Sequence, residues 1–368
     1  MRILHINKRY GVIGGMERHV KDLVGWQRAR GHQADVLAIE DKPRNQTIIQ
    51  NGETIYLLPE LFTYQAAVIS HRFPDMLARL SGRYDILHFQ YPFPMAELSY
   101  LLGGFFSRTP TIATFQGEVV PKKRFSRPYY FLARLFLSRM KRIIATSPNM
   151  AETSVHLQSF KHKLAVIPLG IEPLVQTTTA QASPFPEGVY PKLLFVGRFG
   201  RYKGLPYLIE AMADCPGHLV LVGEGPIRLS LEARCRELGL DGRVTFTGFL
   251  PEGELGIVFQ EAEVFVLPSI DRGESFGYVN LEAMAATTAL VTTELGTGTS
   301  FVNLHGETGL VVPPKDSRAL AAAINQLANS RELIQRYGKA ARKRFEQEFT
   351  LDKMAERVQG EYDSLVHC

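Results

Sequence analysis

Cysteine is scarce in this chain: three in 368 residues, Cys215, Cys235 and Cys368. Their spacing suits neither a disulfide framework nor a zinc site, and it implies a reducing compartment. Long apolar runs are missing too. "LLGGFF" (101–106) falls far short of the roughly 20 residues that a membrane-crossing helix needs. The opening "MRILHINKRYG" reads as a strand entering a loop and lacks the plan of a secretory signal. Neither charge sign dominates: the formal net charge is +5, too mild to call for a nucleic-acid partner. No Asp-x-Asp pair stands ready to bridge a metal, and no HExxH, Walker or G-x-G-x-x-G sequence occurs. These absences lead to the expectation of a cytoplasmic protein without a metal-bridging acid pair or a zinc site.

What is present is alternation. The length favours two domains. "RILHI", "ADVLAI", "DILHFQ", "TIATF", "RIIATS" and "KLAVIPLG" are short apolar runs separated by helical sequence, the pattern of parallel βαβ units. Between residues 171 and 190 the pattern lapses into Thr, Ala and Pro without period, which reads as a linker. It restarts with "KLLFVGR", "HLVLVGEG", "RVTFTGFL", "EVFVLPS", "ALVTTE" and "TGLVVPP", and the chain closes on a helix over 349–368. The expected fold is therefore α/β: two doubly wound, Rossmann-like domains, 1–170 and 191–348, facing each other across a ligand-binding cleft at their strands' carboxyl ends.

Several stretches carry chemistry. In "ESFGYVNLE", Glu274 and Glu282 stand eight residues apart. On one helix that interval turns about 800°, which leaves the carboxylates roughly 80° apart. A helix starting between them fits better, with Ser275 as N-cap and Gly277 in its first turn, aimed at an anion. The paired acids suit hydroxyl recognition, with ordinary surface acids as the alternative. In "GRFGRYKG", Arg198 and Lys203 lie in a Gly-rich loop after a strand. This is either an anion cradle or a solvated basic turn. Gly14 and Gly15 in "GVIGGME" make a phosphate-approach loop or a plain βα turn. His88 is placed at a strand end, and so at the cleft edge, or is structural. The segment 121–142 holds eight basic residues and no acid, Lys122, Lys123, Arg124, Arg127 and Arg134 among them. It reads as a membrane-surface helix or as a core helix with a basic rim.

Together "GRFGRYKG", "VGEGP", "TGFL", "ESFGYVNLEAMA" and "ETGLVVPP", with the N-terminal Gly-Gly loop, resemble the retaining glycosyltransferases of family 4, which have the GT-B fold. The resemblance implies a nucleotide-sugar donor as co-substrate and no essential metal. Arg198 and Lys203 would grip the donor diphosphate, Glu282 the ribose, and Glu274 with the backbone of Phe276 and Gly277 the transferred sugar, with Tyr278 also in the donor site. Glu224, Phe249 and Leu250 would surround the base, Gly14 and Gly15 would approach the phosphates, and His88 would sit near the reacting centre. Gln116 and Glu118 would face the acceptor. Many relatives carry a His where Gln116 stands, and Gln cannot act as a base.

The run "TELGTGTSFVNLHGETGLVVPP" looks most like bacterial enzymes of O-antigen and exopolysaccharide assembly. It implies GDP-mannose as donor and a lipid-linked glycan as acceptor, met at the inner face of the plasma membrane. A UDP-hexose donor, a nucleotide-sugar epimerase and a non-catalytic glycan-binding protein are the other readings.

Overall fold

The computed structural model describes residues 1–11, 14–41, 46–50, 52–64, 67–103, 108–118, 126–174 and 183–366. The chain divides into two compact units, one made of residues 1–170 with 351–368 and the other of 171–350.

The first unit is built on an eight-stranded sheet. Its strands are β1 (Arg2–Ile6), β2 (Gln33–Glu40), β3 (Gln46–Gln50), β4 (Glu53–Pro59), β7 (Ile86–Tyr91), β8 (Thr111–Phe115), β9 (Arg142–Ala145) and β10 (Leu164–Val166), and β5 (Phe62–Tyr64) with β6 (Ala67–Ile69) forms a separate hairpin. The sheet order is β10-β9-β8-β7-β1-β2-β4-β3, parallel except where β3 meets β4. Helices α1 (Gly15–Ala29), α2 (Phe73–Ser81), α3 (Pro94–Leu102), α4 (Ser126–Arg139) and α5 (Pro148–Thr153) connect the strands. The central strands are buried along their length, as parallel strands covered on both faces must be. In α1, Val20, Leu23, Val24 and Gln27 face inward, and Gly31 beyond its end adopts a φ of +83°.

The second unit has a six-stranded, fully parallel sheet in the order β13-β12-β11-β14-β15-β16. Its elements run β11 (Lys192–Val196), α6 (Leu205–Met212), β12 (His218–Val222), α7 (Arg228–Glu237), β13 (Val244–Gly248), α8 (Glu252–Glu261), β14 (Val264–Leu267), α9 (Tyr278–Ala285), β15 (Ala289–Thr293), α10 (Gly298–Val302), β16 (Gly309–Val312), α11 (Ser317–Ala328) and α12 (Arg331–Glu348). This is the doubly wound dinucleotide-type order, with its switch point between β11 and β14. Asp316 and Ser330 cap α11 and α12 through their side chains. The segment expected as a linker from 171 to 190 is counted with this unit, because the Ile171 N–H donates to Phe349 O and Ile171 bridges Thr350.

The final helix, α13 (Leu351–Val366), packs on α1 in the first unit. Trp26 Nε1 donates to Asp352 Oδ1 at 2.6 Å, and Arg142 pairs with Glu361 at 2.7 Å.

Candidate active site

The second unit gathers its loops at the carboxyl ends of β11, β12, β14 and β15. After β11 the chain passes Gly197, exposed Arg198 and a 3-10 turn over Arg201–Lys203. Gly204 then turns it left-handed (φ +69°) into α6, and a Cβ there would lie 1.9 Å from Pro268 O. The loop after β12 lies directly against this one: Phe199 N–H donates to Glu224 O at 2.8 Å, and a Cβ on Gly225 would meet Phe199 O at 2.5 Å. Glycine is what permits that approach.

Lys203 and Glu274 are 71 residues apart in sequence, yet Lys203 Nζ donates to Glu274 Oε2 at 2.6 Å. Both are buried, and Ser269 Oγ donates to the same oxygen at 2.9 Å. Burial works against the Lys203 charge, but the Glu274 carboxylate outweighs it, and the ammonium's pKa stands above its ordinary value. Thr297 Oγ1 donates to Glu274 O at 2.8 Å, and Gly298 N–H donates to Ser275 O at 2.7 Å, so the loop after β15 clamps the backbone on either side. Arg198 makes no ion pair among the described residues and projects into solvent.

The helix does start between the two acids. Its N-cap, however, is Gly277 and not Ser275: Gly277 is left-handed (φ +73°), and Asn280 occupies the space a Cβ would need. Glu282 is buried in the second turn of α9. Phe276 is buried against Phe349, which leaves only its backbone for a ligand. Tyr278, half-buried, opens the helix. Further along the sheet edge, exposed Glu224 pairs with Arg228, Phe249 is 60% exposed, and Leu250 lines a cavity of about 190 Å³ with Pro184, Thr247 and Glu254.

In the first unit Gly14 is the extended N-cap of α1 and Gly15 its first residue. Glu17, which the sequence reading passed over, folds back so that Oε2 lies 2.2 Å from a Cβ position on Gly14; burial raises its pKa. An acid in a helix's first turn was the available signal. His88 requires a correction. It lies inside β7, not at its end, level with His5 on β1, and is 0% exposed. Its Nδ1 bonds Tyr362 Oη at 2.6 Å and its Nε2 bonds Thr114 Oγ1 at 2.7 Å, while burial holds its pKa well below the ordinary value. It anchors α13 and is closed to any ligand.

Gln116, just past β8, donates its amide to Gln90 Oε1 at 2.8 Å. Glu118 beyond it is half-buried. Of the basic candidates, Lys122, Lys123 and Arg124 lie outside the described residues, as does the side chain of Arg127. Arg134 is exposed on α4 beside Phe131 (71% exposed) and Leu135, and the adjoining α3 exposes Leu98 and Leu102. Among the described residues no helix is long and apolar enough to cross a membrane, and no group of three or more His, Cys, Asp or Glu side chains is placed to hold a metal ion.

Comparison with known proteins bears on the family and the fold. The family model "Glycosyltransferase Family 4" matches residues 13–173, and "Glycosyl transferases group 1" matches 176–344. O-antigen chain mannosyltransferase C of Escherichia coli is 34% identical over 371 residues, covering 100% of this chain and 99% of that protein. D-rhamnosyltransferase WbpZ of Pseudomonas aeruginosa is 29% identical over 355 residues, covering 95% and 92%. Sucrose-phosphate synthase from Thermosynechococcus elongatus superposes with a TM-score of 0.81 at 23% identity, covering 99% of this chain and 98% of that one. Anabaena HepE, solved with UDP and glucose, gives 0.80 at 20% identity, covering 99% and 100%. The chain belongs to glycosyltransferase family 4: it is a glycosyltransferase of the GT-B fold.

Proposed function

We propose that this glycosyltransferase is a retaining hexosyltransferase that moves mannose from GDP-mannose to a lipid-linked glycan in cell-surface polysaccharide assembly. The observation that carries the reading is the buried Lys203–Glu274 contact beside the N-terminus of α9. A cation and an acceptor oxygen 2.6 Å apart serve the two sides of a sugar–phosphate bond, the ammonium on the phosphate and the carboxylate on the sugar's hydroxyls. Arg198 adds a bidentate fork for the diphosphate, and the Gly277 N–H adds a helix terminus. Glu282 takes the ribose hydroxyls. Glu224, Phe249 and Leu250 frame the base, with Tyr278 at the sugar. These groups neutralise the leaving diphosphate without a metal.

In the transfer the bond from the anomeric carbon to the phosphate oxygen breaks as the acceptor oxygen bonds to that carbon on the same face. The acceptor's proton passes to the departing phosphate oxygen. Gln116, held by Gln90, has no part in proton transfer. Mannose is favoured by the relative that shares 34% of its residues across the whole chain and is named for mannosyl transfer. The basic segment 121–142, with the apolar side chains of α3 and α4, supports peripheral attachment to the inner face of the plasma membrane.

Calorimetry of GDP-mannose, UDP-glucose and UDP-N-acetylglucosamine with EDTA, on wild type and Arg198→Ala, tests the donor. Metal-independent GDP-mannose binding, lost in the variant, is expected. Preference for a UDP-sugar overturns mannose, and dependence on a metal overturns the neutralisation by Arg198 and Lys203. An α-linked product from the α-linked donor is the expected sign of retention.

A further inference from the structure

Four rings lead from two buried strand ends of the first unit toward its surface. Tyr91, the last residue of β7, stacks on Phe115, the last of β8, with centroids 4.7 Å apart and planes 16° from parallel. His156, in the turn after α5, lies 6.4 Å from Tyr91 and 6.2 Å from Phe115. Tyr130 of α4 stacks on His156 at 4.5 Å with planes 5° apart, and it is half-exposed. His156 is 8% exposed, and its buried Nε2 has no hydrogen-bond partner among the described residues. Packing alone does not call for imidazole here, because an unpaired buried nitrogen costs about 1–3 kcal/mol where phenyl would cost nothing. The charge of Glu118, just beyond β8, acts on both outer rings. Burial lowers the His156 pKa and Glu118 opposes it; burial and Glu118 both raise that of Tyr130.

A sugar ring has an apolar C–H face and a rim of hydroxyls. A half-exposed aromatic ring with an acid and an imidazole at its side matches both. We propose that Tyr130, His156 and Glu118 form the recognition patch for the terminal sugar of the acceptor glycan, a proposal that rests on the glycosyltransferase reading. The Tyr130 ring covers the sugar's apolar face and Glu118 accepts from its hydroxyls, and as the sugar binds the Tyr130 ring slides off His156, so that the buried Nε2 hydrogen-bonds one hydroxyl more. Gln116 is excluded from this role by its bond inward to Gln90. The next residue, Phe131, is 71% exposed on the same helix. A single helix thus presents a sugar-binding ring beside a lipid-compatible one, which is what a lipid-linked acceptor requires.

The test uses Tyr130→Ala, Tyr130→Phe and His156→Phe, each checked for folding by the thermal transition of Trp26 fluorescence. Octyl α-mannoside and octyl β-N-acetylglucosaminide are the probes. Histidine-labelled protein is titrated with each probe by NMR, and transfer kinetics and GDP-mannose binding are measured alongside. One probe should shift the His156 ring resonances in wild type and Tyr130→Phe. Tyr130→Ala and His156→Phe should raise the acceptor KM at least tenfold while leaving the donor Kd unchanged. His156 resonances that neither probe moves, or an unchanged KM in both variants, overturn the patch. A donor that fails to bind while His156 still responds to a probe sinks the functional reading and leaves the patch standing.

Discussion

Replacing Glu274 by Gln keeps the shape of the site and strands the Lys203 ammonium in a buried setting. At 2.6 Å, with each side chain 10% exposed, the pair's attraction is about 6 kcal/mol at an effective dielectric of about 20. Desolvating both ions offsets most of that, so the intact pair contributes little net stability. Breaking it is another matter, because one buried charge is left uncompensated at a cost of about 3–5 kcal/mol. For a unit of about 180 residues that corresponds to a melting temperature lowered by roughly 6–20 °C. Lys203→Met should do similar damage by orphaning the carboxylate. The double variant Lys203→Met/Glu274→Leu replaces both charges with apolar groups and should melt close to wild type, well short of the sum of the singles. All three should lose transfer by at least two to three orders of magnitude, about 3–4 kcal/mol of transition-state stabilisation. Calorimetry and circular dichroism follow the second unit, while Trp26, the chain's single tryptophan, reports on the first. Single variants that cost under about 1 kcal/mol, or a double variant equal to their sum, would refute the argument.

Three further outcomes are expected. Burial lowers the pKa of His5 to about 4, that of His19 to about 3 and that of His88 well below the ordinary value. Below pH 6.5 the unfolded chain therefore takes up protons that the folded unit refuses, and stability falls by up to about 1.4 kcal/mol per pH unit for each histidine until the folded pKa is reached. Buried Glu97, raised to about 7, acts in the opposite sense, its contribution being complete below about pH 4.5 and lost as pH rises through 7. The Trp26-monitored urea midpoint should accordingly drop between pH 6.5 and 4, and a flat profile would contradict these burials. Gly204→Ala forces a left-handed residue and a clash with Pro268 O; it should weaken donor binding and destabilise the second unit by several kcal/mol, whereas Gly242→Ala, with nothing near its Cβ position, should do neither. Asp352→Ala leaves the indole N–H of Trp26, 7% exposed, without its acceptor and should cost the first unit about 1–3 kcal/mol; an unchanged urea midpoint would count against that bond.

Most strands of the second sheet stand out in the sequence as apolar runs, since a parallel strand covered on both faces has no polar alternation to disguise it; the exception is the edge strand β13, "VTFTG", which alternates and is half-buried along its middle. The β3–β4 hairpin escaped that filter because its half-exposed strands, "QTIIQ" and "ETIYLLP", mix polar with apolar residues. The Asn51-Gly52 pair between them, with Gly52 at φ +75°, was the overlooked sign. The candidate acids and cations were visible as residue types in loops after strands. Their contact was not, because pairing Lys203 with Glu274 depends on β11 lying next to β14, a sheet order that linear spacing does not reveal. His88 shows the converse failure. Its neighbours "DILHFQ" mark a strand, but whether His88 ends that strand or sits within it turns on the three positions Phe89 to Tyr91, and here the buried position made it structural.

The return of α13 to the first unit has a consequence for biosynthesis. Tyr362, which closes over His88, and Asp352, which receives the Trp26 indole, are made after the whole of the second unit. At roughly 5–20 residues per second, the ribosome leaves the α1 face of the nascent first unit uncovered for roughly 10–35 s while residues 171–350 are added. The second unit, continuous in sequence, has no such wait. Nascent chains stalled before residue 351 should therefore present an apolar, histidine-lined face to chaperones and proteases, and release of the last helix from the exit tunnel is the event that removes it.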